Sequence, residues 1–294
     1  MVSERIDLYM AATYNDIYIK ARKIFRDAGI EAYNLEARYL IAAAAGKRMD
    51  QLVRDMNLYT SDEVTARVGE MISRRLEGEP IAYITGEWEF YGVPIIVNRD
   101  VLIPRVDTEV LVETAVCSLR GRKMDARVID LCTGSGCVGC AIAKELPATR
   151  VTLADNSKPA LAVAKQNILA NKLNPRVTCV EIDALSNPPL MLGSFDLLVC
   201  NPPYIPTEDI KTLDDSVKKY EPVQALDGGE DGLEFYRAIL KNWRATIRKG
   251  GLMMFEVGIG QADEVCSIMN AAGLINVGKI EDTQGIDRVC FGNL

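Results

Sequence analysis

At 294 residues the chain is long enough for two unequal domains with buried cores, and its 48% hydrophobic and 26% charged residues are the proportions of an ordinary globular protein. Its 34 Lys and Arg against 41 Asp and Glu leave a net charge of −7, a poor match for a nucleic-acid duplex. There is no histidine, which excludes imidazole bases, Ser-His-Asp triads and histidine metal sites, so any chemistry must come from carboxylates, amides, phenols, thiols or backbone groups.

No apolar run approaches membrane-spanning length, and Met1-Val2-Ser3-Glu4-Arg5 opens no signal peptide, so a cytoplasmic protein without a membrane partner is expected. The eight cysteines are scattered through apolar segments and are expected to be packed thiols. Cys137-Val138-Gly139-Cys140 spells C-x-x-C but has no second pair to complete a metal site.

From Ile17 to about Leu76 the pattern is helical. Ile17, Ala21, Ile24, Phe25 and Ala28 share one face, and Val64, Val68, Met71, Ile72 and Leu76 repeat the spacing. Gly29 and Gly46 are the expected stops and Thr60 or Ser61 a cap, giving a helical partner-binding domain over residues 1–80. Gly78 and Pro80 break the pattern. Glu87–Phe90 and Val93–Val97 then predict a hairpin turning at Tyr91-Gly92, within a linker over 81–100. A catalytic domain is expected over 101–294, entered through a helix that Asp107 or Thr108 can cap.

Arg127–Leu131 predicts a strand running into Cys132-Thr133-Gly134-Ser135-Gly136 and an apolar helix to about Lys144. Gly134, Gly136 and Gly139 spell G-x-G-x-x-G, which suits a dinucleotide as well as a methyl donor. The strand Arg150–Ala154 ends in Asp155, placed to accept two ribose hydroxyls, with a helix N-cap as its plainer role. After the helix Pro159–Asn171 and the strand Val177–Glu181 comes Asp183-Ala184, where an acid could hold an adenine amino group and its neighbour touch the ring.

Phe195–Cys200 is a short, nearly unbroken apolar run, the mark of a strand buried on both faces. Asn201-Pro202-Pro203-Tyr204 stops it with two residues that have fixed φ and no N–H. An amide, rigid carbonyl acceptors and a phenol are thus expected at the carboxyl end of a strand, where open α/β sheets bind ligands. Such a group could hold an NH2 by both hydrogens. Beyond it lie an acidic loop with Glu221-Pro222 and Asp227–Gly232, a helix Leu233–Arg248 stopped by Gly250-Gly251, a strand Leu252–Val257, a helix Gln261–Ala272, and strands near Ile275–Lys279 and Arg288–Phe291. The alternation predicts a doubly wound α/β sheet with right-handed crossovers.

Asn-Pro-Pro-Tyr resembles the signature of S-adenosylmethionine-dependent amino-methyltransferases. With Glu89-Phe90-Tyr91-Gly92, Ile103–Glu109, Asp130–Gly136 and Tyr220-Glu221-Pro222 followed by Ala225-Leu226, the chain resembles the HemK or PrmC family of release factor glutamine methyltransferases. The resemblance implies a Rossmann-like seven-stranded methyltransferase fold behind a small helical domain. It implies S-adenosyl-L-methionine as cofactor, with S-adenosyl-L-homocysteine as product. It also implies methyl transfer in translation termination to the glutamine of a Gly-Gly-Gln tip, with class I peptide chain release factors as partners. Apart from the resemblance, a monomer with no stably bound nucleic acid and no metal is expected. Carried over by position, the cofactor contacts are Cys132, Thr133, Gly134, Ser135, Gly136, Asp155, Asp183, Ala184 and Asn201. The substrate lies on Asn201, Pro202, Pro203 and Tyr204, with Asn201, Pro202 and Tyr204 catalytic. Cys132 stands where the family usually has glycine, Val106 where it has proline, and Ala184 where a larger ring-packing residue is common. The alternatives are an adenine amino-methyltransferase using the same tetrapeptide on a flipped base, a nicotinamide-dependent oxidoreductase, and a translation-factor binding module without activity.

Overall fold

The computed structural model describes residues 12–121 and 125–294; the segment Met1–Arg5 lies outside them. Contacts divide the chain into a unit ending at Gly86 and a unit Glu87–Leu294.

The first unit is helical: α1 Tyr14–Asp27, α2 Tyr33–Ala44, α3 Met49–Asp55, α4 Asp62–Leu76 and α5 Ile81–Thr85. Thr13 opens α1 with a reciprocal box, its Oγ1 accepting from Asp16 N while Asp16 Oδ2 accepts from Thr13 N at 2.9 Å. Ser61 caps α4 by accepting from Val64 N. Ile17, Ala21 and Phe25 are buried, as are Val68, Met71 and Ile72, whereas Leu76 is 48% exposed at the frayed end of the stripe. α5 falls where Gly78 and Pro80 predicted only a break. Pro80, preset at φ −59°, starts this short turn of helix and Gly86 at φ +77° closes it.

The second unit opens with the hairpin β1 Glu87–Phe90 and β2 Val93–Ile96. Tyr91 (φ +51°) and Gly92 (φ +67°) are both left-handed, the backbone that a two-residue hairpin turn requires. The hairpin is anchored within this unit. Asn167 Oδ1 accepts from Ile96 N at 2.7 Å, and Asn167 Nδ2 donates at 2.9 Å to Ile96 O and to Ser135 O.

There follow α6 Glu109–Leu119, β3 Arg127–Leu131, α7 Cys137–Glu145, β4 Arg150–Asp155, α8 Lys158–Ala170, β5 Val177–Glu181, β6 Phe195–Cys200, α9 Asp215–Tyr220, α10 Glu234–Trp243, β7 Ile247–Glu256, α11 Ala262–Ala271, β8 Ile275–Glu281 and β9 Asp287–Asn293. The seven strands β3 to β9 form one sheet in the order β5-β4-β3-β6-β7-β9-β8, parallel through β7, with β9 antiparallel to both its neighbours. The order reverses between β3 and β6, so a crevice opens at their carboxyl ends. Leu131 pairs with Cys200, and Cys200 with Phe255. Cys132, Asn201 and Glu256 therefore leave or end three adjacent strands side by side.

Three expectations are corrected. Neither Asp107 nor Thr108 caps α6 with its side chain: Asp107 pairs with Arg288 at 2.7 Å, and the Thr108 hydroxyl faces Asn201. The helix over Leu233–Arg248 ends at Trp243, because Ile247 pairs with Phe195 and Arg248 Nη1 bonds Asp196 at 2.7 and 2.8 Å, which draws β7 back to Ile247. The strand then runs through Gly250-Gly251 with Gly250 at φ +77° and a register shift opposite Phe195 to Leu197. The loop after Tyr204 also carries α9, which the polar sequence did not announce.

The core behind the sheet centres on Trp243, Tyr236 and Phe255, the last two edge to face at 5.7 Å. Their polar tips are satisfied: Trp243 Nε1 donates to Ala184 O and Tyr236 Oη to Glu256 O, both at 2.9 Å. Among the described residues no helix is long and apolar enough to cross a membrane. Gly139 lets α7 close onto β4; a Cβ there would lie 2.2 Å from Leu153 Cδ2 and 3.0 Å from Asp130 Oδ2. Gly139→Ala should therefore cost about 1–3 kcal/mol by overpacking, read as a lower midpoint in urea unfolding.

Candidate active site

The turn after β3 is held from beneath. Asp130, 1% exposed, accepts from the Thr133 hydroxyl at 2.6 Å and from Gly139 N at 2.9 Å, so one carboxyl ties the loop to the helix that follows it. Burial pushes its pKa up to about 7 against these two bonds. Gly134 (φ +54°) and Gly136 (φ +80°) take left-handed backbone, and a Cβ at Gly136 would come within 2.9 Å of Leu153 Cδ1. Cys132 is left-handed too, at φ +55°. That is a backbone that glycine takes at no steric cost, and here a thiol-bearing residue carries the strain.

At the tip of β4 Asp155 is aimed by backbone. Its Oδ2 accepts from Gly134 N at 2.8 Å and its Oδ1 from Ser157 N at 2.9 Å, while Ser157 and not Asp155 caps α8. Each carboxylate oxygen keeps a lone pair for a further donor. Asp183 is occupied differently. Its oxygens accept from Leu185 N and the Ser186 hydroxyl, both at 2.9 Å, and its side chain is not on the wall of the cleft. Ala184 is on that wall, beside Ile182 and Phe235, two apolar residues that the motifs did not single out.

The cleft spans about 910 Å³ of non-atom space, a figure that includes the open solvent at its mouth. Cys132, Thr133, Gly134 and Ser135 form one side of it, Asp155 and Ala184 another, and Asn201 and Pro203 a third. Gly136, Pro202 and Tyr204 are not among the residues that line it. A hydroxyl-bearing ligand with a flat ring fits these residues: acceptors at Asp155, a glycine turn that backbone can approach, and apolar groups at Ile182, Ala184 and Phe235.

The corner Asn201–Tyr204 is clasped by glycines. A Cβ on Gly228 would lie 2.7 Å from Tyr204 Cα, on Gly232 2.3 Å from Tyr204 O, and on Gly258 3.0 Å from Tyr204 Cδ2. Backbone bonds complete the clasp, Ile205 N to Leu226 O at 3.0 Å and Gly228 N to Ile205 O at 2.8 Å, and Gln261 Nε2 donates to Tyr204 O at 2.9 Å. Asn201 Nδ2 donates to Thr108 Oγ1 at 3.3 Å. Among the described residues no donor meets Asn201 Oδ1 or the Pro202 carbonyl. The Tyr204 phenol is pushed up to about 12 by burial, with Glu256 adding to the shift, so it stays neutral.

The remaining motifs act as braces. Glu221, buried, accepts from Arg105 Nη2 at 2.6 Å and Ile103 N at 3.4 Å; Glu109 Oε1 accepts from Tyr91 N at 2.8 Å. Cys137 and Cys140 are buried in α7 with their thiols pushed up by desolvation, Cys137 to about 12, whereas Cys117 is exposed. Glu256 was overlooked; its signal was a single acid inside the apolar run Leu252–Val257.

A seven-stranded sheet of this order with its cleft at the reversal defines a methyltransferase-class domain, and the family profile described as "Methyltransferase small domain" matches residues 106–217. The "PrmC N-terminal domain" profile matches residues 16–86. The release factor glutamine methyltransferase of Geobacter sulfurreducens is 40% identical over 93% of this chain and 94% of its own length. That of Clostridium botulinum is 35% identical over 93% and 96%. The solved hMettl16 catalytic domain in complex with MAT2A 3′UTR hairpin 6 is 16% identical over 81% of this chain and 84% of its own, with a TM-score of 0.56, and shares the fold. The chain belongs to the release factor glutamine methyltransferase family.

Asp130 makes stability depend on pH. Its carboxyl titrates near 3.8 unfolded and about 7 folded, so between these values only the folded state holds the proton. Its contribution therefore favours folding at low pH and is lost as pH rises through about 7. In urea titrations from about pH 5 to about pH 8 the wild-type midpoint should fall relative to that of Asp130→Asn.

Proposed function

We propose that this protein transfers a methyl group from S-adenosyl-L-methionine to the side-chain amide nitrogen of the glutamine in the Gly-Gly-Gln motif of class I peptide chain release factors. It would do so as a cytoplasmic monomer. The observation that carries the reading is the pair of acceptors at the diproline corner, Asn201 Oδ1 and the Pro202 carbonyl, which no donor of the described chain meets.

S-adenosyl-L-methionine, when bound, supplies a methyl group activated on a sulfonium. Asp155 would hold its ribose hydroxyls and the turn Cys132–Gly136 its amino-acid end, while Ile182, Ala184 and Phe235 would pack on its ring.

A glutamine amide is a weak nucleophile because its nitrogen lone pair is delocalised. No base in this cleft suits deprotonating it, since Tyr204 stays a neutral phenol. Two acceptors can instead take its two N–H groups and hold the nitrogen in line with the methyl. Positive charge builds on nitrogen as the bond forms, and the same acceptors stabilise it. The surplus proton then passes to water, leaving the N-methyl amide neutral. Two glycines ahead of the glutamine suit the site, because backbone without Cβ atoms can bring a side chain deep into a walled cleft. The names of the relatives support a release factor as the partner.

Mass spectrometry of a release factor before and after incubation with enzyme and S-adenosyl-L-methionine should show one added methyl on that glutamine. Asn201→Ala should abolish turnover, by at least about a hundredfold, yet still bind cofactor in calorimetry. Wild-type turnover in that variant would remove Asn201 from the mechanism.

A further inference from the structure

Glu256 closes β7 beside the start of the Asn201 corner, since Cys200 pairs with Phe255 on the neighbouring strand. It is buried, and its Oε2 meets no hydrogen-bond partner. A buried carboxyl oxygen left unpaired is rare enough to need a reason. The two nearby guanidinium groups are committed elsewhere, Arg105 to Glu221 and Arg288 to Asp107 and Asp282. Burial raises the carboxyl's pKa, and the hydroxyl that holds it down is that of Thr108, itself buried and not capping its helix. The same hydroxyl is the acceptor for Asn201 Nδ2.

We propose that Glu256, acting through the Thr108 hydroxyl, decides which end of the Asn201 amide faces the cleft, and is thus a positioning residue for the transfer reaction; this rests on the two-acceptor reading above. A hydroxyl has one proton and two lone pairs. An ionised carboxylate is a stronger acceptor than an amide oxygen, so it takes the proton of Thr108. The oxygen of Thr108 then only accepts, and Asn201 must turn its NH2 toward it. Oδ1 is left for the cleft, as a substrate NH2 requires. With Glu256 neutral, its own proton can go to Thr108, the hydroxyl of Thr108 can point at Asn201, and the amide is free to turn over.

The charge on Glu256 is poised to change. Burial pushes its pKa up to about 7 and Asp107 adds to this, while Thr108, Arg288 and Arg105 pull it down. Tyr204, Tyr236 and Cys137 also feel its charge, and burial keeps all three protonated.

The test reads the amide itself. In the 15N-labelled full chain, the Asn201 side-chain NH2 resonances, assigned by their loss in Asn201→Asp, should move with a midpoint near pH 7. That movement should vanish in Thr108→Val and in Glu256→Gln, and return in Thr108→Ser. Asp130 titrates in the same range, so a movement that persists in Glu256→Gln belongs to Asp130 and overturns the proposal, as does a wild-type amide that does not move. In the methyl-transfer assay Thr108→Val should lower kcat about tenfold or more, with KM changed by less than about threefold, and Thr108→Ser should recover most of the loss. A wild-type enzyme that leaves release factors unmethylated would refute the proposed function, while the resonances still decide the relay.

Discussion

Positions 228, 232 and 258 have no room for a Cβ, because Pro203, Tyr204 and the Gln261 side chain that holds Tyr204 O fill the space there. Two prolines remove the freedom of the chain from within, and three glycines close on it from without. The result is a rigid turn in which Asn201 Oδ1 and the Pro202 carbonyl meet no donor among the described residues, while Tyr204 O is held by Gln261 Nε2. In water such acceptors would be solvated and unremarkable; here they sit at the reversal point of a parallel sheet, where Asn201, Pro203 and the glycine turn wall a cleft. The rest of the second unit brings other groups to this corner.

The family motifs divide accordingly. Asp130 accepts from the Thr133 hydroxyl and from Gly139 N of α7, and Asp155 from Gly134 N and Ser157 N, so both spend bonding capacity on holding the turn Thr133–Gly136 in a strained, partly left-handed course. Glu221 ties one motif to another through Arg105 and Ile103, and Glu109 ties a third through Tyr91 N. Residues that look catalytic because they are acidic are, for the most part, scaffolding. The groups left over for chemistry are neutral, an amide and a carbonyl.

Much of the fold was legible because strand and helix periods are local. β3, β5 and β6 begin and end where the apolar runs do. What escaped was set by partners distant in sequence. β7 starts five residues early because Phe195 and Asp196 reach Ile247 and Arg248 from the next strand. Asp107 and Thr108 look like caps, yet one is taken by Arg288 and the other by Asn201. Asp183 accepts from its own turn, Leu185 N on one oxygen and the Ser186 hydroxyl on the other. Short polar side chains compete for near and far partners at similar energies, and only tertiary proximity decides among them. Glu256 shows the converse: an acid within an apolar strand was visible, but its meaning depends on which residue the neighbouring strand sets beside it.

A reaction that needs no base still needs its acceptors turned the right way, and an amide is nearly symmetric in shape. Packing alone does not distinguish Oδ1 from Nδ2; only the polarity of the next group does. A hydroxyl between the amide and a carboxylate supplies that polarity at the cost of burying a charge, and burial is what raises the titration of Glu256 toward neutrality. The same desolvation that makes Glu256 expensive to keep ionised makes its proton the one whose loss orders the amide. Stability and orientation are therefore opposed at this residue: conditions that neutralise it relieve the buried charge and release the amide. A site built from neutral acceptors thus remains tied to an ionisation, one hydroxyl removed from the atoms that meet the substrate.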